Sequence, residues 1–351
     1  MQVIQNEAYS NFVDSINSDQ TRQMYEYSLS KFLKHYEMDL DSFLRLSQQE
    51  ISNYIIDYLV NKKISRQYKI VIFSAIKHAC EMNDVILNWR KLKKFIKSER
   101  TDNSINGKDR GYTHEEIQKI LEFSDQRLKT AFLVLASTGI RIGALQSIRI
   151  GDLERIDNMY KIIVYRGDSE EYFTFCTPEC TKEIDSYLDY RKRRGENITQ
   201  ESCLLVTKFS QVTQIKGRPF KNRALRTMLQ CTLDNSGLRE IDHKHPHKRK
   251  QIPIFHGFRK LYTKQLVDSK LNPEIREMLL GHKIGLASAY YKPTEQEMLQ
   301  EYLKAVGLLT INEENRLKLK LEKSVQIEKS KIDELKADFE KFKNEVLRHR
   351  K

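Results

Sequence analysis

The stretch LGHKIGLASAYYKP, residues 280–293, sets a histidine straight after a helix stop and two adjacent tyrosines further along. Upstream of it, Asn272 caps a helix, Pro273 takes the first helical position, and PEIREMLL runs until Gly281 ends it, with His282 immediately beyond. Downstream, a further short helix carries Tyr290 and Tyr291. Lys292 precedes Pro293 and so leans away from helix, and Thr294 with Glu297 caps the next one. Tyr291 lies nine positions after His282. Adjacent tyrosines at a helix end read either as packing or as a nucleophile beside a packing neighbour, and the choice depends on the rest of the chain.

Two earlier stretches bear on it. In HGFRKLYTKQL (256–266), His256 and Arg259 are three apart and share a helix face, while Phe258, Leu261, Tyr262 and Leu266 form the apolar stripe. In STGIRIGALQSI (137–148), Arg141 follows Gly139, which stops the almost wholly apolar, hence buried, helix LKTAFLVLAS. Thr113 with Glu116 opens the region with a capping box. YKIIVYRGDSEEYFTFCTP (160–178) reads as a hairpin around the turn RGDSEE, and further helices are expected at 178–193, 219–235, 257–268 and 273–280. This half is mainly α with a small sheet.

The N-terminal third differs. The first 106 residues contain neither Gly nor Pro, although the chain has 13 and 6. Apolar residues recur at three- and four-residue steps in TRQMYEYSLSKFLKHY, SQQEISNYIIDYLVNK and QYKIVIFSAIKHACEMN, and Ser47 with Glu50 forms another capping box. A small helical bundle is expected over residues 7–96, followed by a polar, basic linker at 97–112. The tail, 311–351, places Ile332, Leu335, Phe339, Phe342 and Val346 at steps of 3, 4, 3 and 4, which is heptad spacing for one long helix. Folding back on the body and pairing with a second subunit both fit it.

Charge narrows the function. The chain carries a formal +13, and residues 206–264 alone hold fourteen Lys/Arg against three acids. Such a one-signed segment fits a polyanion, and Lys216, Arg218, Lys221, Arg223, Lys248, Arg249 and Lys250 are its candidate DNA contacts, with Arg166 of the hairpin turn as a further one outside it. No apolar run is long enough for a membrane span, and MQVIQNEAYSNFVDS does not read as a secretory signal. Five scattered cysteines read as reduced thiols of a cytoplasmic, nucleoid-associated protein. His243, His245 and His247 lack acids or cysteines at ligand spacing, so DNA contact is preferred there to a metal site.

Taken in order, Arg in TGIRIGAL, His-x-x-Arg in HGFR, and Leu-Gly-His with a tyrosine nine residues later resemble the tyrosine recombinase or phage integrase family over residues 10–305. YFTFCTPE and the coiled tail are similar to archaeal integrases of mobile elements. The resemblance implies a SAM-like core-binding domain at 7–96, a tyrosine-recombinase catalytic domain at 113–306 and a C-terminal coiled-coil-like helix at 311–351, together a C-shaped clamp on duplex DNA. It implies Tyr291 as nucleophile, with Tyr290 left to packing. Arg141 and Arg259 would hold the phosphate oxygens, His256 would act as acid/base and His282 as a hydrogen-bond donor. Four protomers on two DNA sites, and neither ATP, cofactor nor metal, are implied as well. The family's hairpin lysine aligns with Arg166, whose delocalised guanidinium does not readily give up a proton; Lys161, at the start of the same strand, is misplaced for the role. Ala144 stands where the family often has Glu. A type IB topoisomerase-like strand transferase, and a DNA-binding protein that has lost its chemistry, are the alternatives.

Overall fold

The computed structural model describes residues 7–96, 109–207, 218–220, 222–238, 252–285 and 290–348. The chain divides into two compact units, residues 1–104 and 105–351. The first is helical: α1 Glu7–Asp14, α2 Asp19–His35, α3 Leu40–Leu44, α4 Gln48–Asn61, α5 Arg66–Glu81 and α6 Trp89–Lys93. Without Gly or Pro, its turns are built from side-chain caps. Ser18, Asp39, Ser47, Ser65 and Asn88 each accept from a backbone N–H in the first turn of the following helix. Glu37 and Asp84 take the positive φ that glycine would ordinarily supply. The core is aromatic and branched: Phe32 meets Phe43 and Tyr58 edge-on at 5.2 Å, and Ile51, Ile55 and Ile72 are fully buried.

The second unit is arranged around α8 (Gln126–Thr138), capped by Asp125 and ended by Gly139 at φ 62°. α7 (His114–Glu122), α10 (Pro178–Arg193) and α12 (His256–Asp268) pack on α8, whose residues 130–138 are all buried. After α9 (Ile142–Ser147) and one 3₁₀ turn comes a three-stranded antiparallel meander, β1 Leu153–Ile156, β2 Met159–Val164 and β3 Tyr172–Phe175. The hairpin expected at 160–178 supplies β2 and β3, and β1 is additional to it. That strand is only four residues long and exposes Glu154 and Arg155; it is recruited by pairing Leu153 with Ile162 across a turn at Asp157 (φ 50°). α11 runs Asn222–Asn235, starting later than the expected 219.

A second cluster lies under α12: Phe175, Tyr262, Leu266, Ile275, Leu279, Leu299 and Tyr302 join β3, α12, α13 (Pro273–Leu279) and α14 (Glu295–Leu309). The Tyr302 hydroxyl donates to the Ser137 carbonyl at 2.8 Å, tying α14 to the end of α8. α15 (Glu313–Arg348) follows. No helix among the described residues is long and apolar enough to cross a membrane.

Candidate active site

Three chain segments converge where α8 stops, α12 begins and α13 ends. Arg259, 8% exposed, donates Nη1 to the Gly139 carbonyl at 2.7 Å, and Nη2 to the Leu280 carbonyl at 2.7 Å and to His282 Nε2 at 2.8 Å. Since Nη2 can only donate, His282 accepts at Nε2 and carries its proton on Nδ1. That Nδ1–H faces Glu277 Oε2 at 2.6 Å, and the bond to His282 draws the Glu277 carboxyl below its ordinary pKa. The geometry depends on Gly281. Its φ is 67°, and a Cβ there would lie 2.4 Å from the Tyr172 ring.

Burial, then the adjacent positive charge of Arg141, pull the Arg259 pKa down. Arg141 itself is the N-cap of α9; its exposed guanidinium makes no hydrogen bond or ion pair with a described residue. Arg259 likewise has no carboxylate partner among the described residues. Two neighbouring guanidiniums without an acid form a site whose electrostatics call for an anion. Tyr165 and Tyr172 flank it; the Tyr172 hydroxyl is buried, and burial raises its pKa against the pull of Arg259 and Arg141. His256, exposed at the start of α12, is one helical turn from Arg259.

Tyr291 is not gathered into this cluster. It packs, half-buried, against the second core. Partial burial raises its pKa, and the carboxylates of Glu297, Glu274 and Glu301 push it higher still. Tyr290, expected to pack, is instead 91% exposed, and the neighbour that packs is Tyr291. Of the short helix expected to carry both, Tyr290 is helical and Tyr291 is not; residues 286–289 lie outside the described residues.

Residues 111–297, more than half of the chain, match the phage integrase family. The chain belongs to that family. Comparison with curated proteins found no match. Among solved structures the chain is similar to the Tn1549 transposon integrase in complex with transposon right end DNA (14% identity, TM-score 0.53, covering 85% of this chain and 97% of that one). It is similar to a lambda integrase tetramer bound to a Holliday junction (16%, 0.51, 81% and 76%) and to the XerH site-specific recombinase in a post-cleavage complex with difH substrate (15%, 0.53, 77% and 75%). At these identities the likeness is one of fold, that of the tyrosine recombinases.

Against this family's pattern the hairpin cations are notable. Arg166 donates Nε to the buried Asp152 at 2.7 Å and Nη2 to the Gly151 carbonyl at 2.9 Å, so its guanidinium is turned onto its own domain. Lys161 bridges Glu154 at 2.9 Å and Glu295 at 2.5 Å; burial opposes its charge, but the two carboxylates outweigh it and raise its pKa. Of the other candidate DNA contacts, Arg218 and Arg223 are exposed, while Lys216, Lys221, Lys248, Arg249 and Lys250 lie outside the described residues, as do His243, His245 and His247. Neither Glu277 nor Tyr172 stands out in the sequence. Glu277 reaches His282 across a helix end, a spacing of five that no helical periodicity flags. Tyr172 looked like any strand aromatic.

Proposed function

We propose that the chain is a site-specific DNA recombinase that cuts and rejoins duplex DNA through a 3′-phosphotyrosine, acting as the integrase of a mobile element. The archaeal affiliation rests on the style of YFTFCTPE and the tail. The observation that carries the reading is the pair of neighbouring charges Arg141 and Arg259, with no carboxylate partner among the described residues and with Arg259 bonded to His282, within the segment that matches the family. Two planar forks of N–H donors suit the non-bridging oxygens of a phosphodiester and the charge that grows on them in the transition state. Tyr291 Oη attacks phosphorus, the bond to the 5′-oxygen breaks, and that oxygen leaves as a hydroxyl. The reverse attack by a 5′-hydroxyl on the tyrosyl phosphate restores the DNA. His256 takes or returns the proton as acid/base, and His282 donates to the phosphate. That role requires His282 Nε2 to exchange its bond from Arg259 for one to the substrate, with a proton on Nε2.

Tyr291 must also exchange surroundings. Among Glu274, Glu297 and Glu301 its hydroxyl is held in the protonated form, whereas beside two arginines the phenolate would be favoured. Strand transfer therefore requires Tyr291 to leave these carboxylates for the arginines, where the DNA phosphate binds. Duplex DNA as partner, and four protomers on two sites, are supported by the DNA-bound relatives in fold. A second reading, a DNA-binding protein of this fold without cleavage, is favoured by Lys161 and Arg166, both engaged in ion pairs.

Covalent capture separates the two readings. Nicked DNA from the element's attachment region is incubated with wild type, Tyr291→Phe and Tyr290→Phe and run on a denaturing gel. An adduct formed by wild type and Tyr290→Phe and missing from Tyr291→Phe is the expected result. Retention of the adduct in Tyr291→Phe removes the assigned nucleophile, and binding without any adduct favours the second reading.

A further inference from the structure

α15 (Glu313–Arg348) begins on the body of the second unit and then presents an uncovered apolar seam. Its start is fixed. Glu179 accepts from the Ile311 and Asn312 backbone N–H groups at 2.7 and 2.9 Å, and Leu319 packs against the cluster containing Tyr302. Beyond that anchor Leu321, Val325, Ile332, Leu335 and Phe339 are 42–69% exposed, and no described residue of the same chain covers them. Large apolar side chains in one stripe, on a helix otherwise rich in Lys and Glu, mark a face that another element should bury.

We propose that the occupant is the same helix of a second copy, in a parallel, in-register, two-stranded coiled coil. The step of three from Ile332 to Leu335 makes Ile332 an a position and Leu335 a d position, since a precedes d by three. The register then runs from Leu321 (d) and Val325 (a) through Phe339 (a), and continues in the sequence to Phe342 and Val346, nearly four heptads. β-Branched residues at a with Leu at d favour two parallel strands. Glu328, at the intervening d position, decides the orientation. In a parallel pair it faces its own mate, with Lys329 of the second copy at the adjoining e position to offset the charge. An antiparallel pair that matched Ile332 with Leu335 would set Glu328 against Phe339, a carboxylate against an aromatic ring. The proposal is independent of the catalytic reading, because it ties two protomers together without DNA.

The full-length protein is examined without DNA by sedimentation over a concentration series. A reversible dimer is expected for wild type, a monomer for Leu335→Glu, and a dimer at least tenfold tighter for Glu328→Leu, which removes the one charged core layer. Orientation is read from Leu321→Cys in a chain whose exposed Cys231 is replaced by serine. Under oxidised glutathione, thiol–disulfide exchange links two Leu321→Cys helices only if they lie parallel, with two thiols oxidised and the glutathione disulfide reduced. Three results overturn the proposal: a monomer at every concentration, whether or not Leu335→Glu lowers its Tm; a dimer that Leu335→Glu leaves intact; or a dimer that Leu321→Cys does not cross-link.

Discussion

Arg141 and Arg259 sit side by side yet differ in what their removal should do. Arg259 satisfies two carbonyls and a histidine; the Arg141 guanidinium is exposed and bonds to no described residue. Arg259→Ala strands the Gly139 and Leu280 carbonyls, at roughly 1–3 kcal/mol each, with relief of the repulsion from Arg141 offsetting part. Loss of cleavage in Arg259→Ala therefore mixes chemistry with folding. Arg141→Ala is the cleaner probe. It should abolish the covalent adduct while leaving stability within about 0.5 kcal/mol of wild type, whereas Arg259→Ala should lower the Tm by about 4 °C or more. Equal thermal shifts would show that Arg141 is a structural cap after all. Both arginines were legible in the sequence because each stands at a fixed offset from a glycine or a histidine. The burial of Arg259 was not, since it depends on α13 arriving from elsewhere in the chain.

Element boundaries were legible where the signal is local. The capping boxes at Ser47, Thr113 and Thr294 were readable and all form, as do the proline start of α13 and the glycine stops after α8 and α13. β1 was missed because nothing in Leu-Glu-Arg-Ile demands a strand until β2 lies beside it. Nor could local signals tell which tyrosine packs, which depends on where α14 lies. The turn at Gly281 combines both kinds of information. Its positive φ is a local requirement, while its contact with Tyr172 joins α13 to β3. Gly285 provides the comparison: its φ is 61°, and a Cβ added there would meet no described atom within 4 Å. Gly285→Ala should cost only the left-handed backbone, about 1–2 kcal/mol. Gly281→Ala should cost that and a clash with the ring, about 3 kcal/mol or more in urea unfolding. Matching costs at the two positions would remove the ring contact from the account of how His282 is placed.

At the scale of the molecule, charge is the property that the sequence exposes and the fold then sorts. Residues 206–264 carry an excess of eleven positive charges, but a basic residue contributes to phosphate binding only if it is not already neutralised at home. Arg166 is so neutralised: Asp152 holds its Nε, and Asp152 is 5% exposed. Lys248, Arg249 and Lys250 stand in a run, HKRK, with no acid closer than Asp242. Each phosphate neutralised adds about 0.9 to the slope of log affinity against log salt. Replacing Lys248, Arg249 and Lys250 with Ala should therefore flatten that slope by about two to three, to a similar extent on specific and unrelated duplexes. Arg166→Ala should change it by less than about one and instead lower stability, because it leaves the buried Asp152 carboxylate short of its charged partner. Fluorescence anisotropy titrations between 50 and 300 mM salt, on the order of the range where counterion release dominates, make the comparison. If Arg166→Ala flattened the slope as much as the triple replacement, its guanidinium would have to leave Asp152 for DNA, and the hairpin would be a moving part of the binding surface.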